Sequence, residues 1–311
     1  MRRSVATIHL IGIAACGGGV KTIPPTLEGF SLLGDTLWSV PVPVLGGRER
    51  VTRLQDARER LNQAPGNFQA AYDVARYTAD LGRFSQAIEL YGAASSMGGL
   101  DPRPYARRGE LHLLLRRLDR ALSDLRTAGR LYSGYMGDSL AEQQVTATGE
   151  MVRRNFSYTI PSLLGIAYSL RGDSVRSVDY LNESALHVES LREAIQVTLW
   201  FRAAQPGGEF PRTLPARFRS ATTAMIRTST RGNAAAGCPI ITGTMVDGDL
   251  ACYVHGARLL AAGKRDEALA AFSQIRQRSH WSSQAHLAAE AALSRLNGED
   301  EAGLGSRRGS K

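Results

Sequence analysis

The sequence predicts an all-α solenoid of helix-turn-helix repeats, with irregular insertions and a C-terminal capping helix. Three observations predict it. Ala87 recurs as Ala121 and Ala94 as Ala128, each 34 positions on, and a fixed period of this length marks a repeat array. Glycine separates paired helical stretches at Gly82, Gly172 and Gly263; it takes positive φ at little cost, as a helix C-terminus favours. Small residues recur where two helices cross closely, at Ala75, Gly109, Gly165 and Gly256. With 311 residues the chain is long enough for one large domain or a repeat array with a full core.

Residues 1–15 are expected to be a signal peptide, and 16–47 a tether and N-terminal arm, in which Val20–Gly47 reads as extended linker or packing arm. Helical repeats are expected over 48–204. The first holds Leu81–Ala94, where Tyr91 and Ala94 continue the face of Ala87 at i+4 and i+7. The second has helices at Pro102–Arg117 and Leu118–Tyr132, with Pro102 and Pro104 in the first turn. It departs from the pattern in placing Arg116 where the turn glycine is expected. Ala121 and Ser177 are 56 positions apart, more than one repeat, and Ser139–Asn155 reads as an extra helix in that gap. The third repeat runs through Leu163–Asp173 into Ser174–Val188, with Ser177 where alanine is usual. A further helix is expected at Glu189–Ala204, with Leu191, Ile195, Leu199 and Trp200 on one face. Residues 205–249 form an irregular insertion rich in Pro and Gly, with a helix at Ala216–Arg227. Residues 250–298 hold the last repeat, marked by Gly256, Gly263, Ala268 and Phe272, and a capping helix at Ser282–Leu296. Residues 299–311, rich in Gly, Ser and charge, are expected to be disordered.

The N-terminus bears on location. Met1-Arg2-Arg3 precedes an apolar run from Val5 to Ala15, interrupted by His9. That run is eleven residues long, against about 20 for a membrane span. Ile13-Ala14-Ala15-Cys16 resembles the bacterial lipobox. The resemblance implies a mature chain that starts at a lipid-modified Cys16, held to a membrane by an N-terminal anchor. Gly17, in place of Asp, favours the outer membrane of the cell envelope; a secreted or periplasmic protein is the alternative. Two cysteines then remain, Cys238 and Cys252, 14 positions apart. A disulfide between them would contribute roughly 3 kcal/mol in the chain-entropy model; two reduced, buried thiols are an equally open reading.

Composition narrows the chemistry. The net charge is +9, and with only Lys21, Lys264 and Lys311 as lysines, arginine supplies nearly all of it. The arginines are dispersed along helices rather than clustered, so nucleic acid is not an expected partner. His112, His187, His255, His280 and His286 fall on different stretches, and His280 and His286 do not share a helix face. No nucleophile elbow, phosphate loop, CxxC or metal-ligand spacing occurs. The chain therefore reads as a non-enzyme with no catalytic residue, no metal and no cofactor. A hydrolase using the 205–249 insertion as a lid is the weaker alternative.

The turn motif Leu81-Gly82-Arg83-Phe84 with Ala87, its counterpart Leu164–Asp173, and Gly256–Phe272 resemble tetratricopeptide repeats. With Gly29–Gly34, Arg76–Phe84, Arg107-Arg108-Gly109 and the segment from Trp281 to Leu293, the chain resembles exported bacterial tetratricopeptide proteins. That resemblance implies an all-α repeat fold whose first helices line a concave groove for partners. By repeat position the groove would present Gln69, Tyr72, Arg76 and Asp80, then Arg103 and Glu110, then Thr159 and Ser162, and lastly Tyr253. Arginine beside tyrosine suits an acidic peptide tail or an anionic glycan. The expected role is a scaffold binding a peptide or protein at the cell envelope. Recognition of an anionic envelope polymer, glycan or lipopolysaccharide, by arginines is the alternative. Oligomeric state is not legible.

Overall fold

A computed structural model describes residues 25–39, 47–134, 140–145, 151–229, 238 and 247–308. Residues 1–15, expected to be a signal peptide, and Cys16 lie outside them, as does most of the irregular insertion beyond residue 229. Among the described residues are twelve helices and four short strands. The helices are α1 (Gly47–Gln63), α2 (Phe68–Asp80), α3 (Phe84–Gly98), α4 (Arg103–Leu114), α5 (Leu118–Ser133), α6 (Phe156–Arg171), α7 (Ser174–Leu186), α8 (Leu191–Ala204), α9 (Ala216–Ser229), α10 (Gly248–Ala261), α11 (Arg265–Arg278) and α12 (Gln284–Arg308). The strands are β1 (Leu27–Phe30), β2 (Thr36–Trp38), β3 (Ala141–Val145) and β4 (Met151–Asn155), in two antiparallel pairs, β1 with β2 and β3 with β4.

The all-α solenoid expected from the period is observed. Four helix pairs, α2–α3, α4–α5, α6–α7 and α10–α11, are each joined by a turn of two or three residues. Within three of them one contact recurs. A Cβ added at Gly109 would lie 2.8 Å from Leu125 Cγ, at Gly165 2.7 Å from Leu181 Cγ, and at Gly256 2.5 Å from Phe272 Cε1. Each partner is 16 positions further on, so the small residue admits the large one and sets the helix spacing. Ser177, in the alanine position, is buried and donates its hydroxyl proton to the Gly165 carbonyl at 2.8 Å, so its polarity carries no desolvation penalty.

The turns share a backbone state. Gly82, Gly172 and Gly263 have φ of 73°, 83° and 73°, and Arg116 has φ 62°. The left-handed conformation costs a non-glycine residue roughly 1–2 kcal/mol, so something must hold Arg116 there.

Two expectations are corrected and one alternative is decided. Residues 139–155 do not form a helix: 141–145 and 151–155 pair as the β3–β4 hairpin, with Glu142 opposite Arg154 and Val145 opposite Met151. This insertion, between the end of α5 and the start of α6, takes up the excess over one repeat. Of the two readings of the N-terminal arm, the described part takes the packing one: β1 and β2 form a hairpin whose buried Leu37 and Glu28 face the helices. Glu28 accepts the Ser85 amide at 2.7 Å, satisfying a free N–H at the start of α3, where Arg83 supplies no side-chain cap. The C-terminal tail is not disordered throughout, because the α12 backbone stays helical through Arg308.

α12 packs on α10 and α11 as a cap and also runs across the turn ends of earlier repeats. The Trp281 ring meets Phe84 edge-on at 5.7 Å, and its Nε1 donates to the Trp38 carbonyl at 2.9 Å. Glu290 meets Arg116, and Arg295 donates to the Leu170 carbonyl at 2.6 Å. One segment thus touches the turns of the first, second and third repeats in order.

Candidate functional site

The first helices of repeats one and two, α2 and α4, form the groove wall, and the β3–β4 hairpin lies in the groove. Period-2 alternation puts Glu142 and its cross-strand partner Arg154 on one face of the hairpin. Both side chains are turned inward, Glu142 buried and Arg154 largely so.

Glu142 reaches residues of both helices. It accepts the Tyr72 hydroxyl proton at 2.5 Å and pairs with Arg107 at 2.5 Å. Arg107 also contacts Glu110 at 3.1 Å, and Glu110 meets Arg154 at 3.0 Å. The result is an alternating chain, Tyr72–Glu142–Arg107–Glu110–Arg154, that stitches hairpin to helices. Arg76 adds a backbone contact, donating to the Gln143 carbonyl at 3.1 Å while pairing with Asp73 at 3.1 Å.

The electrostatics follow from burial and pairing. Burial, reinforced by Glu142, holds the Tyr72 hydroxyl well above its usual value, so it is a donor at any ordinary pH. Burial opposes the charge on Arg107, but Glu142, Tyr91 and Glu110 outweigh it and hold the guanidinium firmly protonated. Burial would likewise raise the Glu110 carboxyl, yet Arg154 and Arg107 bring it below the usual carboxylate range. Asp80 is raised, by burial first, against the pull of Arg107, Arg76 and Arg50.

The groove residues expected from repeat position thus divide. Tyr72, Arg76 and Glu110 converge on the hairpin. Asp80 stands close enough to feel Arg107 and Arg76. Arg103 stacks over the Tyr72 ring at 4.8 Å and the Phe68 ring at 5.4 Å while gripping Asp101. Gln69 is exposed and hydrogen-bonds Asp73 rather than reaching inward. Thr159 and Ser162 are buried in the third repeat. Tyr253 does not join this site. It is packed against Trp200 and Phe272 and borders a separate cavity of about 300 Å³ that Ala203, Leu260 and Arg295 also line.

Arg107 and Glu142 were not legible as site residues. Arg107 sits one helical turn before Glu110 on α4, so the same face carries it. Glu142 lies in a segment whose Gln, Glu, Met and Arg favour a helix on propensity, and only the hairpin geometry gives it a role.

Cys238 and Cys252 lie with Cα atoms 4.9 Å apart, within the range a disulfide requires. Among the described residues no group of His, Cys, Asp and Glu could hold a metal ion, and no helix is long and apolar enough to cross a membrane. His112 and His286 approach carboxylates, Asp124 at 3.8 Å and Glu290 at 3.7 Å, but both rings are buried and burial lowers the basicity of each.

No family model matches the sequence, and no curated protein matches it. Likeness to solved structures is confined to the fold. The chain is similar to YrrB, a tetratricopeptide-repeat protein. The similarity covers 76% of this chain and 96% of that one, at 11% identity and a TM-score of 0.41. The crystal structure of YrrB is described as having an unusual peptide-binding site.

Proposed function

We propose that this chain is a non-catalytic helical-repeat scaffold that binds a peptide or protein partner through the concave face of its first two repeats. The observation that carries this reading is the seating of β3. An extended segment already lies on α2 and α4, held by one side chain in a Tyr72–Arg107 cradle and by a main-chain contact to Arg76. Side-chain pockets combined with main-chain hydrogen bonds are how an extended peptide is recognised. The lipobox-like Ile13–Cys16 and the apolar run before it support a lipid anchor at Cys16 and a place at the bacterial envelope, with the repeats held at the end of a tether.

The polymer-binding alternative draws less support. Arg76, Arg103 and Arg107 are each paired with an internal carboxylate, Asp73, Asp101 and Glu142 respectively, so they offer little uncompensated charge to a polyanion. Crosslinking in intact cells followed by mass spectrometry, with wild type and Arg76→Glu in parallel, tests the reading. A partner captured by the wild type and lost from Arg76→Glu is the expected result. Capture unaffected by Arg76→Glu removes the groove from the proposal, and a mature protein with Met1 intact and no acyl chain removes the anchor.

A further inference from the structure

The β3–β4 hairpin is a ligand that the protein carries for its own groove. We infer that the Tyr72–Arg107 cradle is a carboxylate site, that Glu142 occupies it in the resting protein, and that a partner enters as an acidic extended strand that displaces the hairpin. This rests on the peptide-binding reading above and names the chemistry that the partner must bring.

Three observations carry it. The first is chemical. A phenol on α2 and a guanidinium on α4 converge on a single carboxylate, and both are held as donors at any ordinary pH. The second concerns how the occupant is attached. The hairpin is an insertion between two repeats and no part of the period. Each repeat keeps its own small-to-large helix contact, Gly109 on Leu125 and Gly165 on Leu181, so the helices do not need the hairpin to pack. The third is fit. Arg76 Nε and Arg107 Nε are buried without a hydrogen-bond partner, and Glu142 Oε1 meets Arg107 as an ion pair but not in hydrogen-bonding geometry. Buried polar atoms are nearly always satisfied in a site at its optimum. The donors in this groove therefore exceed what one glutamate uses, and a segment with a second carboxylate or a better-placed carbonyl gains contacts that the hairpin does not make.

Displacement carries a defined exchange. The incoming carboxylate replaces Glu142 on Arg107, so the buried guanidinium is never left unpaired, which would be strongly unfavourable. Glu142 moves to water, where its charge is solvated. The affinity seen from outside is reduced by the fraction of time the groove is closed. Weakening the internal ligand must therefore tighten the external one.

The test uses the full-length protein and a labelled synthetic peptide of residues 138–147, which contains the β3 sequence, beside its Glu142→Gln counterpart. Glu142→Gln protein is expected to bind the unaltered peptide at least tenfold more tightly than wild type does, and the Glu142→Gln peptide, which keeps only Asp138 as an acidic side chain, is expected not to bind either. Equal affinity of the two proteins, or equal binding of the two peptides, overturns the inference. Hydrogen exchange on the unaltered protein gives a second reading that does not depend on a variant's folding. Added acidic peptide should deprotect residues 151–155 of β4 while leaving α6 protected; unchanged protection also overturns it. If the cellular partner still requires Arg76 yet binds wild type and Glu142→Gln alike, the groove stands as a binding face and the hairpin is a fixed part of its wall.

Discussion

Arg116 and Glu290, separated by 174 positions, form a two-pronged ion pair in the protein interior. Nη2 lies 2.6 Å from Oε2 and Nε 3.1 Å from Oε1, with the arginine side chain 3% exposed and the glutamate fully buried. Arg116 Nη2 also donates to the Trp281 carbonyl at 3.1 Å, its guanidinium lies 5.6 Å from the Trp281 ring centre, and the Leu32 amide donates to Glu290 Oε1. This is what keeps a non-glycine residue at φ 62° in the second turn: fixed backbone strain is balanced by a fork that only arginine could supply.

Removing one partner of such a pair leaves a buried charge. Glu290→Ala should cost about 3–5 kcal/mol, read as a lower denaturation midpoint. Arg116→Gly relieves the backbone strain but abandons Glu290, so it too should destabilise. The double variant should lose less than the two singles combined. Additivity within about 0.5 kcal/mol would show that the residues are not coupled.

The recurring small-to-large helix contact makes opposite predictions for two glycines of the same repeat. Gly109→Ala places a methyl 2.8 Å from Leu125 Cγ and should destabilise by about 1–3 kcal/mol through overpacking. Gly129→Ala, where the nearest atom is 3.8 Å away, should stabilise by roughly 0.5–1 kcal/mol through the helix preference for alanine. Thermal unfolding of the two variants side by side checks both signs.

We expect Cys238 and Cys252 to be bonded in the native protein. As the two lie 14 positions apart, reduction should lower stability by roughly 3 kcal/mol in the chain-entropy model. Cys252→Ser should show that loss before any reductant is added and be insensitive to reductant afterwards. Two free thiols in the native protein, counted by alkylation and mass, would refute the bond.

His112 gives a pH dependence with a definite sign. Burial pushes its pKa down to about 4, with nearby Arg117, Arg108 and Arg120 adding to the effect against Asp124. Unfolding restores a value near 6.5, so the unfolded chain binds the extra proton first. The stabilising contribution is therefore complete above about pH 6.5 and is lost as pH falls toward 4, by at most about 1.4 kcal/mol per pH unit for one proton. Burial acts in the same direction on His286 and His280. His112→Gln should reduce the fall in urea midpoint between pH 7 and pH 4.5 without abolishing it; an identical slope would clear His112 of the effect.

The repeat was readable because its signals are local. Period, turn glycine and small crossing residue all lie within one 34-residue unit, and helix existence follows from them. What escaped depends on distant partners. Ala141-Glu142-Gln143-Gln144-Val145 has good helical propensity, and only the register with β4 and the cradle on α2 and α4 make it a strand, an instance of tertiary context overriding propensity. Tyr72, Arg76 and Glu110 were legible because repeat position alone puts them on the concave face. Arg107 was not, since a buried arginine is intelligible only with its carboxylates in view. Tyr253 obeyed the repeat pattern yet was claimed by the core, because Trp200 and Phe272 close around it.

The segment from Trp281 through α12 has a consequence for the order in which the chain comes together. A plain repeat array can nucleate anywhere and grow from neighbour to neighbour. Here the second turn is strained until Glu290 arrives, and the N-terminal hairpin obtains its contacts at Leu32 and Trp38 from residues near the other end. Synthesis proceeds from the N-terminus, so the earliest elements wait on the latest. Long-range closure of this kind slows folding relative to local contacts, and the repeats remain incomplete until nearly the whole chain has emerged.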